Sequence, residues 1–194
     1  MSEDRVKIAG QADEESVVAA LTIAFAGDPM TRWSWETPEA YLSGFPRFAR
    51  AFGGGAISLG TAHYTEGFSG AALWYPPGEG PDEEALVGVI EGTTSEARRP
   101  IVYAIIKDMG NFHPEEPHWY LPLIGVDPRF QGKGVGSLLM KHALEVCDRE
   151  GVAAYLESSN PKNISFYERH GFFALGTIQH GDAPVMVPML RRPR

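Results

Sequence analysis

Apolar positions in this chain recur with two periods, and the change from one to the other marks its elements. Val6 to Ala9 reads as a short first strand. Val17, Leu21, Ala24 and Phe25 share one face of a helix that Asp13 is placed to cap, and Gly27-Asp28-Pro29 ends it. Met30 to Trp35 reads as an aromatic-rich loop. Pro38 opens a helix to about Phe52, closed by Gly53-Gly54-Gly55. Ile57 to Thr65 and Ala71 to Tyr75 read as strands joined by a turn at Gly67, and Pro76-Pro77-Gly78 breaks the chain again. Asp82 to Glu91 and Pro100 to Met109 read as helices, and His113 to Pro117 as a loop.

The second half has the sharper pattern. Trp119 to Val126 is an apolar strand with Pro122 inside it, which predicts a bulge or an edge. Gly134 to Glu150 is a helix with Met140, Ala143, Leu144 and Cys147 on its buried side and Gly151 as terminator. Val152 to Leu156 is a strand. Asn160 caps a helix with Pro161 at its first position, running to His170 before Gly171. Phe172 to Gln179 and Val185 to Leu190 form a final antiparallel pair.

Composition narrows what such a chain can do. Its 194 residues suit one domain, residues 1–194, with 43% hydrophobic residues to build a core. No apolar stretch approaches the roughly 20 residues that a bilayer requires, so no membrane partner is expected. Met1 to Arg5 is polar and leads into no export signal, and the single cysteine, Cys147, excludes an internal disulfide. Both point to the cytoplasm. A net charge of -8 argues against nucleic acid and favours cationic partners such as protonated amines. No residue pattern calls for a metal, and the chain is expected as a monomer or homodimer.

The chemistry concentrates in the run from Val126 to Ser137. Gly132, Gly134 and Gly136 alternate at a strand-to-helix junction. Glycine is costly at a helix start, and its use there lets backbone N–H groups approach a ligand. The first helical turn adds unpaired donors and a positive dipole end, which together suit a pyrophosphate. Arg129 and Lys133 add positive charge. A P-loop is excluded because Gly134, not Ser or Thr, follows Lys133. A dinucleotide fold is disfavoured: the third glycine comes one place early, and only Ser158 to Arg194 follows the next strand.

These residues resemble the GNAT superfamily of N-acetyltransferases. Gln131, Gly134 and Gly136 match its Gln/Arg-x-x-Gly-x-Gly/Ala pattern, and Tyr167 with Gly171-Phe172 matches its later helix ending in Tyr before Gly-Phe. The segments Glu116 to Leu121, Gly125-Val126, Gln131 to Gly134 and Phe166 to Arg169 are similar to the puromycin N-acetyltransferase-like, antibiotic-modifying branch. The resemblance implies an α/β (α+β) fold. Its sheet is mixed, mostly antiparallel and twisted, with about seven strands, splayed at the cofactor site and flanked by helices. It implies acetyl-CoA as donor, with the coenzyme A pyrophosphate on Gln131, Gly132, Lys133, Gly134, Val135, Gly136 and Ser137. It also implies the pantetheine arm along Ile124, Gly125 and Val126, near Asn163, with Asn160 as a rival.

Acetyl transfer needs a neutral amine, a polarised carbonyl and a protonated leaving thiolate. The Val126 N–H is the candidate for the oxyanion. Tyr167 is the candidate acid, since a phenol pKa of about 10 lies near that of a thiol. Glu157 is the first candidate base, with His118 and Glu116 behind it. Asp28, Trp33 and Trp35 are the expected acceptor site for a small amine with a flat or apolar body. A protein lysine or N-terminus as acceptor, and a non-catalytic acyl-CoA sensor, are the alternatives.

Overall fold

The computed structural model describes residues 6–194, and the Met1 to Arg5 segment read above for export lies outside the described residues. In chain order come β1 (Val6–Ile8), α1 (Glu14–Phe25), α2 (Pro29–Ser34), α3 (Pro38–Gly53), α4 (Gly55–Ser58), β2 (Ala62–Thr65) and β3 (Gly70–Tyr75). Next are α5 (Glu83–Thr93), α6 (Arg99–Phe112), β4 (His118–Val126), α7 (Val135–Glu150), β5 (Ala153–Ser158), α8 (Ile164–Arg169), β6 (Phe173–Ala174) and β7 (Val187–Arg191). The strands form one seven-stranded sheet in the order β1-β2-β3-β4-β5-β7-β6. Every pairing is antiparallel except β4 with β5.

Both faces of the sheet are covered, which is why its central strands are apolar throughout instead of alternating. Ala71, Leu73 and Tyr75 of β3 and Tyr155 of β5 join a core with Leu21 of α1 and Phe45 of α3. Ala72 and Trp74 of β3 and Leu156 of β5 join a second core with Leu139, Met140 and Cys147 of α7 and Tyr167 of α8. Arg191 of β7, itself buried, donates to both carboxylate oxygens of Asp148 on α7 at 2.7 Å, pinning that helix to the sheet. No helix among the described residues is long and apolar enough to cross a membrane.

Four expectations about elements need correction. The stretch Met30 to Trp35 is not a loop: Asp28 caps α2 by accepting from the Thr31 N–H at 3.0 Å, with Pro29 at the first helical position. The supposed strand Ile57 to Thr65 starts as the single turn α4, because Gly60, at φ +70, reverses the chain before Ala62. A short apolar run carries no period to separate the two forms. The strand expected over Phe172 to Gln179 holds only at Phe173–Ala174, with one further bridge between Ile178 and Met186. Between them the chain crosses the Phe112 ring at Gly176, where a Cβ would come within 2.9 Å. The helix expected from Gly134 begins at Val135, with Gly134 as a left-handed cap.

Candidate functional site

The site begins where the sheet comes apart. β4 and β5 pair in parallel from His118–Ala153 to Leu121–Leu156, and the ladder stops there. Both strands continue, β4 to Val126 and β5 to Ser158. Pro122 is the next residue of β4 and has no N–H to give. On its other side, β4 pairs Leu123 with Leu73 and Tyr120 with Tyr75, so it carries one more residue than β3 between these pairs. That is the predicted bulge, and it coincides with the splay. Gly125 is glycine for a packing reason. A Cβ there would lie 2.6 Å from Ala24 Cβ, so the glycine lets α1 pack directly on β4.

At the end of β4 the glycine turn is exposed. Gly132 and Gly134 have φ of +72 and +88, so both need glycine for conformation. Positive φ on both sides of Lys133 is a backbone of the kind that can expose successive N–H groups to an anion. Gln131 Nε2 donates to the Val126 carbonyl at 3.1 Å, tying the turn to the strand. A Cβ on Gly136 would sit in ordinary contact with Phe166 at 3.4 Å and Val126 at 3.6 Å, so packing tolerates a side chain there and does not demand glycine. Ser137 follows in the first turn of α7. Arg129 is not a free cation: Asp127, which is buried, accepts from its guanidinium at 2.7 Å. Lys133 lies over the Phe130 ring and, among the described residues, makes no salt bridge.

Tyr167 sits on α8, 6% exposed, its ring against Phe166 and Phe172. Burial first, and then the Asp28 carboxylate, push its pKa above the ordinary phenol value, so the hydroxyl keeps its proton. Asn160 accepts from the Lys162 N–H at 3.1 Å, spending its side chain on the turn before α8. Asn163 is exposed and lines the same cavity as Tyr167.

Glu157 comes from the part of β5 beyond the ladder, with its side chain only 3% exposed. Tyr120 donates its hydroxyl to Oε2 at 2.9 Å. His113 Nε2 lies 3.4 Å from Oε1, which makes no well-formed hydrogen bond among the described residues. The buried Tyr155 hydroxyl makes none there either, yet it is near enough to the Glu157 carboxylate for that group to push its pKa, already raised by burial, further up. The carboxylate in turn pushes the pKa of Tyr120, already raised by burial, further up. Of the remaining base candidates, Glu116 pairs with Arg192 at the surface, and His118 reaches Glu157 only through His113.

A cavity of about 130 Å³ joins these groups. Its wall includes β4 from Leu121 to Ile124 together with Glu157, Ser159, Asn163 and Tyr167. The rest is mostly apolar, with residues such as Trp35, Phe48, Phe52, Ile90, Ile105 and Met109 beside the hydroxyls of Thr31, Ser34 and Thr94. The structure thus separates the three expected acceptor residues. Trp35 is in the wall, but as a core residue, its indole N–H donating to Thr93 at 3.1 Å and its ring lying on Gly44. Trp33 turns instead into a small cluster with Met30, Ile105 and Ile178, under the Arg98 guanidinium. Asp28 is buried with both oxygens engaged, by Thr31 N and by Ser159 Oγ, so it offers no free carboxylate. His113 escaped the sequence reading. A histidine at a helix end carries no local sign that tertiary packing will bring it to Glu157.

Among known proteins, the acetyltransferase (GNAT) family pattern matches residues 47–172. An N-acetyltransferase of Schizosaccharomyces pombe is 29% identical over 117 residues, which cover 54% of this chain but only 47% of that protein. The chain therefore spans about half the length of that relative. A peptidyl-lysine N-acetyltransferase of Salmonella typhimurium is 22% identical over 152 residues, covering 69% of this chain and 95% of that one. The solved structure of a histone acetyltransferase HPA2 and related acetyltransferase from Corynebacterium glutamicum is 25% identical with a TM-score of 0.68. It covers 97% of this chain and 96% of that one.

Proposed function

The chain belongs to the GNAT family of acetyltransferases, and from that premise we propose that it is a one-domain, acetyl-CoA-dependent N-acetyltransferase whose acceptor is a small primary amine with an apolar body. One observation carries the acceptor: a largely apolar cavity has in its wall one carboxylate, Glu157, and among the described lining residues no other charged group. A protonated amine can pair with that carboxylate, and the walls suit an aryl or branched alkyl body. A cavity of similar volume, about 150 Å³, holds a benzene ring. The likeness of several segments to the antibiotic-modifying branch supports the same reading.

The residues fit acetyl-CoA. The turn at Gly132 to Gly134, with Lys133 beside it, takes the pyrophosphate at the start of α7. Backbone from Ile124 to Val126, left unpaired toward β5, takes the pantetheine arm, with Asn163 alongside. When bound, acetyl-CoA supplies the thioester carbonyl and a thiolate leaving group. Glu157 takes the proton that frees the amine lone pair, the Val126 N–H steadies the developing oxyanion, and Tyr167 gives its proton to the departing sulfur.

The test has two parts. Acetyl-CoA is expected to raise the thermal midpoint, since a ligand bound only by the folded state stabilises it. Thiol release is then compared for aryl-bearing amines, linear polyamines and lysine peptides. No midpoint shift sinks the cofactor reading, and faster turnover of peptides sinks the acceptor reading. The Salmonella relative favours the peptide outcome as a second reading, in which a lysine side chain enters the cavity. A shift without turnover of any amine leaves the acyl-CoA sensor.

A further inference from the structure

We propose that His113 and His118 form the path by which the proton collected at Glu157 leaves the site. This rests on the amine acetyltransferase reading above.

Proton counting sets the need. A primary ammonium carries three N–H bonds and the amide product one, so two protons leave nitrogen in each turnover. Tyr167 gives one proton to the thiolate and regains it from the pair removed. The other must reach water, or Glu157 stays protonated and the next ammonium meets a neutral acid. The cavity offers no chain of acid–base groups: among its described lining residues only Glu157 and Tyr167 titrate, and Thr31, Ser34, Thr94, Ser159 and Asn163 are hydroxyls and an amide. Tyr120 is no route either, because its buried hydroxyl already donates to Oε2.

A line of polar atoms does lead outward. Glu157 Oε1 lies 3.4 Å from His113 Nε2, His113 Nδ1 lies 3.0 Å from His118 Nε2, and His118 Nδ1 lies 2.9 Å from the Glu116 carbonyl oxygen. The carbonyl fixes the direction of the whole line. It can only accept, so His118 Nδ1 carries a hydrogen and its Nε2 is bare. His118 Nε2 therefore accepts from His113 Nδ1–H, which leaves His113 Nε2 bare and facing Glu157. The neutral pair thus presents a lone pair to the carboxyl group. The 3.4 Å gap is of the kind that tightens when a site is occupied.

The surroundings suit a proton in transit. His113 caps the C-terminus of α6, where the helix dipole favours a cation. Its ring lies between Tyr120 at 4.6 Å and Tyr155 at 4.5 Å, which holds its plane. The charged and titratable groups around the pair are Glu157, Tyr120 and Tyr155 on the sheet side and Glu116, paired with Arg192, on the outer side. Burial keeps the His118 pKa below the ordinary imidazole value, so His118 passes its proton on to water near neutrality. The proton count closes: ammonium to Glu157, Glu157 to His113 Nε2, His113 Nδ1 to His118 Nε2, and one proton from His118 Nδ1 to solvent. Both rings then carry hydrogen on Nε2, and their return to the starting tautomers through water readies the pair for the next turnover.

The experiment replaces His113 by Phe, which keeps the ring, and separately by Gln, and replaces His118 by Gln. kcat/KM for the best amine is followed from below to above neutrality, with and without added imidazole, and the acetyl-CoA midpoint shift is the control. His113→Phe is expected to lose roughly 10²-fold below neutrality. The loss should shrink as pH rises and more amine arrives neutral, and imidazole should restore part of it. The cofactor shift should be unchanged. A loss that is equal at every pH and deaf to imidazole marks a packing role and overturns the proposal, as does no loss. If the variants fail to fold, the wild-type rate in mixtures of light and heavy water decides: a curved dependence is expected, and a linear one overturns the relay. A wild type that binds acetyl-CoA but acetylates no amine overturns the relay together with the acceptor reading.

Discussion

Ser159 Oγ donates to Asp28 Oδ2 at 2.7 Å, although the two residues lie 131 positions apart. The contact joins the start of α2 to the loop after β5, next to Tyr167. Burial outweighs the hydrogen bonds at Asp28, so its pKa is raised above the ordinary 3.8. A raised carboxyl pKa contributes stability that is fully present below the unfolded value and is lost as pH rises through the folded value. Asp28→Asn keeps an acceptor for the Thr31 N–H, turns the Ser159 contact round so that Nδ2 donates to Ser159 Oγ, and removes that pH dependence. It is expected to match or exceed the wild type in stability at neutral pH, whereas Asp28→Ala should lower it by about 1–2 kcal/mol through the lost cap. Urea midpoints measured across acid and neutral pH separate the two. Equal losses in both variants would show that charge, not capping, is what matters at this position.

Tyr167→Phe removes the hydroxyl and keeps the ring packing on Phe166 and Phe172. Turnover is expected to fall by roughly 10²–10⁴-fold, the usual range for a lost acid. The acetyl-CoA midpoint shift should remain. Steady-state rates on the best amine test this, and an unchanged kcat would assign the thiolate proton to another donor.

Gly134 and Gly136 are expected to fail differently. Gly134 has φ +88, so valine there strains the backbone by about 1–2 kcal/mol and should lower the midpoint without ligand. Gly136→Ala fits beside Phe166 at 3.4 Å and should fold normally. Its new methyl packs on Phe166 and Val126 beside the first turn of α7, so the loss should appear in acetyl-CoA affinity and not in the midpoint without ligand. Paired melts with and without acetyl-CoA read both effects, and normal affinity in Gly136→Ala counts against a phosphate seat at this turn.

Cys147 is fully buried on α7, and burial pushes its thiol up to about 12. It is expected to resist thiol reagents in the native protein and react only on unfolding. Transfer by direct attack needs no thiol, so Cys147→Ala should keep kcat. A large fall in kcat with the fold intact would point to an acetylated cysteine on the route.

The sequence was most legible where local chemistry alone decides conformation. Alternating glycines, the Asn160-Pro161 start and the apolar face of α7 all act within a few residues. The Asp28-Pro29 start carries the same cap-and-proline signature, yet the six residues after it, Met30 to Trp35, read as a loop. The acceptor wall was less legible, because α3, α5 and α6 meet there only through tertiary packing. Trp35 lines the cavity and Trp33 does not, although both sit in one short segment. His113 and Glu157 come from a helix end and a strand end, and no periodicity connects them. Even Gly125 had a reason that only the packing of Ala24 reveals.

Pro122 follows the last parallel pair, Leu121 with Leu156, while both strands run on beyond it. A residue with an N–H at that place could carry the ladder forward toward Glu157 and Ser158. Two strands already side by side would then close on each other. In kinetic terms the proline is a stop in a zipper. It bars the free protein from a shut, self-paired state in which the backbone of β4 would be occupied by β5. The cleft is therefore open before any ligand arrives, and binding has no strand separation to wait for.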